Sequence, residues 1–255
     1  MKNNYILAIS GNDIFSGGGL YADLATFASH ELHGFVAVTC LTAMTEKGFE
    51  VFPTQSAIFR HQLNSLRDVP FSAIKIGLLP NKEISQLALE FVISRPDIPL
   101  VLDPVLVCKE THDVEVATLR KELLQFFPYA TIVTPNLIEA QLLSQKEIKH
   151  LDDMKEVADE LYRLGAKHVV IKGGDRFSQE NAIDLFYDGN HFETLDYPVL
   201  EQNNIGAGCT FASSIASQLV KGQSVLEAVR SSKEFVYQAI LRSDKYGVKQ
   251  SNAKQ

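Results

Sequence analysis

The feature that most limits what this chain can fold into is a series of short apolar runs without polar alternation. They lie at residues 5–10, 34–39, 73–77, 100–103, 130–133 and 168–171. A strand with one wet face alternates apolar and polar side chains, whereas one that does not is covered on both faces. Between the runs lie segments of helical spacing, roughly 56–66, 83–93, 116–127 and 151–164. In the last of these, Leu151, Met154, Val157, Ala158, Leu161 and Leu164 make a single stripe. Buried strands alternating with helices predict an α/β fold, a three-layer α/β/α sandwich with a mainly parallel central sheet. Such sheets bind ligands at the carboxyl ends of their strands. That rule brings residues 11–13, Asp103, residues 134–136 and residues 172–174 to one crevice.

Between residues 181 and 198 the period changes. Two short runs flank Asp188-Gly189-Asn190, which predicts a small β-hairpin. Its place just before a glycine-rich turn suits a flap over the crevice, and an extension of the sheet is the other reading. Helices are expected over 212–220 and 225–241, and the polar tail from about 243 is expected to be loose. No linker, repeat or low-complexity tract interrupts the 255 residues, so a single domain over 1–255 is expected.

Charge and cysteine usage exclude several classes of partner. The net charge is −7 with no long Lys/Arg cluster, which argues against nucleic acid as a partner. No apolar run has the length of a membrane span, and the first residues do not read as a secretory signal. Cys40, Cys108 and Cys209 are odd in number and scattered, unlike a disulfide framework or a zinc site. A cytoplasmic protein is expected, with any cysteine function resting on the thiol.

The chemistry concentrates at Asn203-Asn204-Ile205-Gly206-Ala207-Gly208-Cys209-Thr210-Phe211. A helix start leaves amide N–H groups without intrahelical partners at the positive end of a dipole. Gly206 and Gly208 let an anion approach those amides closely. Cys209 falls in the first turn, where a thiol is expected to lose its proton more easily. Taken alone, it reads as an inert, half-buried thiol rather than a catalyst. Leu102-Asp103-Pro104 puts a carboxylate at a strand end. Asn136 and Glu139 stand one helical turn apart, which suits either Mg²⁺ ligation or a plain helix cap. Lys172-Gly173-Gly174, after another apolar run, suits a phosphate. Ser16-Gly17-Gly18-Gly19 before the first helix is either a tight turn or a ligand loop.

In this order the segments resemble the ribokinase-like superfamily, in its branch of pyridoxal kinases and hydroxymethylpyrimidine (phosphate) kinases. The resemblance runs through Ser10–Asp13, Ser16–Gly19 with Ala22-Asp23, and Asp103-Pro-Val-Leu-Val-Cys108-Lys109. It continues through Thr134-Pro-Asn-Leu-Ile-Glu139, Val170-Ile-Lys-Gly-Gly174 and Gly206-Ala-Gly-Cys209-Thr210. The family's last motif ends in an Asp that acts as general base, and Cys209 stands in its place. With Cys108, this is similar to a dual-cysteine subgroup of pyridoxal kinases.

The resemblance implies ATP and Mg²⁺, a homodimer, and phosphorylation of the primary alcohol of pyridoxal. Cys108 would capture the aldehyde as a hemithioacetal, and Cys209, its pKa lowered, would take or relay the alcohol's proton. The amides of Gly206, Ala207 and Gly208 would stabilise the transferring phosphoryl group. Asp103 and Glu139 would organise the metal, and Asn136, Lys172 and Gly208 would contact the nucleotide. Gly11, Asp23, Met44 and Val107 would surround the substrate ring. Pyrimidine kinases of the branch tend to carry Gln at the Met44 position, and a thioether cannot donate its hydrogen bonds. Ile205 and, approximately, Glu50 stand where dual-cysteine members often have histidines. The competing readings are a hydroxymethylpyrimidine kinase and a member that binds ATP or pyridoxal phosphate without phosphoryl transfer.

Overall fold

The computed structural model describes residues 4–106 and 113–251. Its strands and helices run β1 (Tyr5–Ser10), α1 (Gly19–Ser29), β2 (His33–Val38), β3 (Cys40–Thr45), β4 (Gly48–Pro53), α2 (Ser56–Ser65), β5 (Ala73–Ile76), α3 (Lys82–Ile93) and β6 (Leu100–Leu102). They continue with α4 (Asp113–Leu124), β7 (Ile132–Val133), α5 (Leu137–Ser144), α6 (Leu151–Arg163), β8 (Val169–Lys172), β9 (Asn181–Tyr187), β10 (Phe192–Pro198), α7 (Ala207–Val220) and α8 (Val225–Leu241). Among the described residues, eight strands form one sheet in the order β10-β9-β8-β7-β6-β5-β1-β2. Pairing is parallel from β2 through β8 and antiparallel from β8 to β10. This is the expected α/β/α sandwich.

The strands lack polar alternation because both faces are covered. Ile6, Ala8, Ala73, Val101, Ile132 and Val170 pack on the side of α1, α7 and α8. Leu7, Ile9, Ile74, Leu102, Val133 and Ile171 pack on the side of α2 to α6. The α6 stripe serves this second layer, with Met154, Val157, Ala158 and Leu161 buried.

Of the two readings of the 181–198 hairpin the sheet extension is realised and the flap is not, and the expectation of a loose C-terminal segment is corrected. The hairpin at 181–198 forms, with Asp188 Oδ1 accepting from the Asn190 and His191 amides at 2.8 and 2.7 Å across its turn. It does not fold over the crevice as a flap. It pairs with β8 and extends the main sheet, because its inward residues Leu185 and Phe186 are needed as core. The small separate sheet is β3–β4 instead. The segment from 243 is not loose through residue 251: Val248 and Gln250 are buried, and the Val248 and Lys249 amides donate to the Ile205 and Ala239 carbonyls.

A fully buried ion pair ties α1 of the front layer to the sheet. Lys75, on β5, is wholly buried with its Nζ 2.8 Å from the equally buried Asp23 of α1. Asp23 also accepts from Ser213 Oγ of α7 at 2.6 Å. Burial by itself works against the Lys75 ammonium, and Asp23, helped at longer range by Cys209 and Asp103, more than reverses this, so its pKa is raised. A buried pair of this kind is expensive to break on one side only. Lys75→Met is therefore expected to lower unfolding free energy by about 3–5 kcal/mol by stranding Asp23. Asp23→Asn/Lys75→Met, which removes both charges, should recover most of that loss in urea-unfolding midpoints; an equal loss in both variants would show that the charges are not paired.

Candidate active site

The carboxyl ends of β6, β7 and β8 bring Asp103, Thr134 and Lys172 together. Asp103 accepts from Lys172 Nζ at 2.9 Å and from Thr134 Oγ1 at 3.3 Å. Burial pushes the Asp103 carboxyl up, and the Lys172 and Lys75 ammoniums outweigh it, leaving the pKa lowered. Asn136 caps α5, and it and Glu139 form a reciprocal capping box: Asn136 Oδ1 accepts from the Glu139 amide at 2.9 Å, and Glu139 Oε2 from the Asn136 amide at 2.8 Å. The cap reading is thus realised in the geometry. It leaves the rest of each side chain directed at the same corner. Burial, with nearby Asp103 adding to it and Lys172 opposing, raises Glu139 to about 7. Burial also disfavours the Lys172 charge, but Asp103 and Glu139 prevail and hold its pKa up.

The turn into α7 closes the other side. Gly206 sits at the N-cap with φ +84°, a left-handed conformation that favours glycine, and no side chain caps this helix start. Ala207, Gly208 and Cys209 form its first turn. A Cβ at Gly208 would lie 3.3 Å from Lys172 Nζ, so the missing side chain lets the lysine approach the turn. An open cleft of about 710 Å³ lies here, lined by Asn136, Lys172, Gly174, Ala207, Gly208 and Tyr237 among others. Its wall includes the Asp184–Lys233 ion pair at 2.6 Å, which sequence reading missed. Its only sequence signal is a lone acid in the otherwise apolar β9 run.

Cys209 is half-buried, beside the Gly17–Gly19 loop, and the Gly19 amide donates to its sulfur. The expected lowering of its pKa does not occur in the ligand-free protein. Burial raises the thiol to about 11; Lys75 and the Gly19 amide lower it, while Asp103 and Asp23 add to the rise. One helix start is too weak to offset burial among two carboxylates.

The proposed ring-binding residues do not share one surface. Gly11 is buried, its carbonyl accepting from the Leu20 amide at 2.9 Å. Asp23 does not line the crevice, since it is fully buried against Lys75 and Ser213. Met44 is exposed on β3, a hairpin rooted at the β1 end by Asn12 Oδ1, which accepts from the Thr42 amide at 2.7 Å. Val107 and Cys108 lie outside the described residues. Cys40 is core, as expected. Among the described residues, no group of three or more His, Cys, Asp or Glu is placed to hold a metal ion, so a metal here would rest on two carboxylates plus ligands from substrate and water. No described helix is long and apolar enough to cross a membrane.

A raised thiol keeps its proton in the folded chain while the unfolded chain loses it, so this group's contribution to stability is lost as pH rises from about 9 through about 11. Iodoacetamide alkylation of Cys209 in the ligand-free protein, followed by peptide mass analysis, is expected to stay slow through pH 8 and accelerate towards pH 11. A half-maximal rate near pH 7 would contradict this environment.

The chain resembles known proteins over most of its length. Residues 13–254 match the family model described as phosphomethylpyrimidine kinase. The pyridoxine kinase of Bacillus subtilis is 38% identical over 253 residues, covering 95% of this chain and 92% of that one. The hydroxymethylpyrimidine/phosphomethylpyrimidine kinase of Aquifex aeolicus is 35% identical over 248 residues, covering 94% and 96%. The structure of the Staphylococcus aureus pyridoxal kinase in complex with AMP-PCP and pyridoxal superposes with a TM-score of 0.90 at 34% identity, covering 99% of this chain and 95% of that one. The ordered strand-end motifs, the sandwich that presents them and this likeness together place the chain in the phosphomethylpyrimidine kinase family, as a small-molecule kinase.

Proposed function

We propose that the protein is an ATP-dependent pyridoxal kinase that phosphorylates the primary alcohol of pyridoxal, giving pyridoxal 5′-phosphate and ADP. The observation that carries this reading is a thiol, Cys209, in the first turn of α7, held by the Gly19 amide next to the Lys172–Asp103 pair. The Staphylococcus aureus relative that binds AMP-PCP and pyridoxal supports the same pair of substrates. Met44 offers no amide with which to read an aminopyrimidine edge.

Each residue then has a task. The 710 Å³ cleft beside Lys172 and Gly208 takes the nucleotide, with Asn136 and Lys172 at its phosphates. Asp103 and Glu139 crowd two carboxylates around one ammonium, and the raised Glu139 marks an environment that a dication relieves. The oxygen donors therefore fit Mg²⁺, which they would hold with water and phosphate oxygens. When bound, the ion neutralises phosphate charge. The amides of Gly206 and Gly208 stabilise the transferring phosphoryl group, whereas the Ala207 amide, expected to join them, donates to the Asn204 carbonyl at 3.0 Å. Because its transition state is loose, the transfer asks little of the base. Despite its raised pKa, the Cys209 thiol can relay the proton: its sulfur takes the alcohol's proton as its own S–H proton passes to an oxygen of the phosphate being formed. Cys108 holds the aldehyde by reversible addition of its sulfur to the carbonyl carbon. A cytoplasmic location, where thiols stay reduced, suits this use of cysteine. The exposed Leu41 and Phe52, paired across the β3–β4 hairpin, suit a homodimer contact; a sedimentation mass of one chain would refute the dimer.

The family description and the Aquifex aeolicus relative favour hydroxymethylpyrimidine as the second reading. Incubation with ATP, Mg²⁺ and pyridoxal, pyridoxine or hydroxymethylpyrimidine, scored by ADP formation, separates the two. Pyridoxal is expected to turn over best, and good turnover of the pyrimidine alone would reverse the assignment. Ligand binding with no ADP from any acceptor would mark a non-catalytic member.

Cysteine variants test the roles. Cys209→Ala is expected to lower kcat by about 10²-fold or more, the scale of a lost proton-transfer group, with little change in the KM for ATP. Cys108→Ala should harm pyridoxal turnover several-fold more than that of pyridoxine, which has no aldehyde. Equal losses with both vitamers would remove the hemithioacetal from the mechanism.

A further inference from the structure

Three chain segments far apart in sequence stack against one another at the base of the kinase site, each through a glycine. A Cβ on Gly206 would overlap the Gly17 carbonyl, and one on Gly17 would overlap the Tyr246 carbonyl and come within 2.6 Å of Ile205 Cγ2. A Cβ on Gly247, whose φ is +152°, would lie 2.8 Å from the Ile205 carbonyl oxygen and 3.0 Å from Gly17 Cα. The glycine loop before α1, the turn into α7 and the C-terminal segment thus meet backbone to backbone.

Hydrogen bonds lock the outermost of the three in place. The Val248 amide donates to the Ile205 carbonyl at 3.0 Å, and the Asp244 amide to the Gly247 carbonyl at 3.0 Å. Asn203 Nδ2 donates to the Asp244 carbonyl at 2.9 Å. Gln250 then turns inward. Its side chain is buried, and its Nε2 donates to Thr210 Oγ1 at 3.0 Å. Its carbonyl accepts from Ser29 Oγ at the end of α1. The C-terminal segment therefore grips α7 on both sides of Cys209, at Ile205 and at Thr210. It also holds the end of the helix that the glycine loop begins.

We propose that residues 244–251 form a positioning strap of the kinase site, with Gln250 as its anchor. The strap sets the first turn of α7 against the Gly17–Gly19 loop, whose Gly19 amide donates to the Cys209 sulfur. Gln250 touches neither nucleotide nor acceptor and acts through Thr210. Its loss lets the α7 turn shift relative to that loop, and displacements of about 1 Å in a reacting constellation can cost on the order of 10²-fold in rate. The nucleotide cleft shares Ala207 and Gly208 with that turn but is otherwise walled by β9, α8 and the Lys172 loop, so loss of the Gln250 anchor should weaken nucleotide binding far less than it slows transfer.

The test uses full-length Gln250→Met, which keeps volume and loses the amide, together with Thr210→Val and the double variant. Gln250→Met is expected to lower kcat about tenfold, with whichever acceptor the wild type uses, while the KM for ATP stays within about twofold. The double variant should be no worse than the more affected single variant, because both remove the same contact. Iodoacetamide alkylation of Cys209 at pH 9 should change at least several-fold in Gln250→Met. That readout needs no acceptor, so it distinguishes failure of the strap from failure of the pyridoxal assignment. Unchanged kcat and alkylation, additive losses in the double variant, or a rise in the KM for ATP as large as the fall in kcat would each overturn the proposal.

Discussion

The ammonium of Lys75 and the carboxylate of Asp23 lie 2.8 Å apart with no solvent on either. Placing two charges there costs desolvation that the pair must return through its own contact and its neighbours. Asp23 returns part of it by accepting also from Ser213, one helical turn beyond Cys209 on α7. One central strand and the two helices that carry the glycine loop and the α7 turn are thereby held in a single relation. A hydrophobic contact would bury these elements as well but would tolerate sliding. The directional pair does not, and the geometry at the α7 turn inherits that precision.

Above this pair, the site is a competition between burial and charge. Asp103 is held ionised because two ammoniums face it, whereas Glu139 faces one and is raised to about 7. Cys209 feels Lys75 on one side and two carboxylates on the other, and burial settles the outcome in favour of the thiol. The resting site therefore carries its negative charge on Asp103 and its positive charge on Lys172. A phosphate group entering beside Lys172 meets an ammonium paired with Asp103, and a neutral thiol rather than a thiolate, so no sulfur anion repels a donor that is itself highly charged.

Much of the sandwich was legible in the sequence because short apolar runs of strand length, without polar alternation, recur between helix-spaced segments. The hairpin at 181–198 was legible too, since Asp188-Gly189 is turn chemistry, but its destination was not: local residues specify a turn and say nothing about which strand edge it will meet. The β3–β4 hairpin escaped notice because its large apolar residues Leu41, Met44 and Phe52 are exposed and show no clean alternation with polar ones. Asp103, Asn136 and Lys172 were named from their places at strand ends, Glu139 from its spacing one helical turn after Asn136, and Gly208 from the glycine turn at a helix start, and they do converge. Asp23 was placed beside the substrate ring by resemblance, and the partner that buries it, Lys75, lies 52 positions away, where no local pattern shows the pairing.

By itself, the order of apolar runs, glycine turns and strand-end polar residues determined the layered fold, the edge of the sheet where chemistry gathers, and the kind of side chain found there. Those are properties of spacing and of single residues. Only the tertiary structure decided the protonation of Cys209, the burial of Asp23 and the docking of the C-terminal segment against Ile205 and Thr210. Each of these depends on which distant groups come within a few ångströms, where desolvation and direct contact outweigh any local preference.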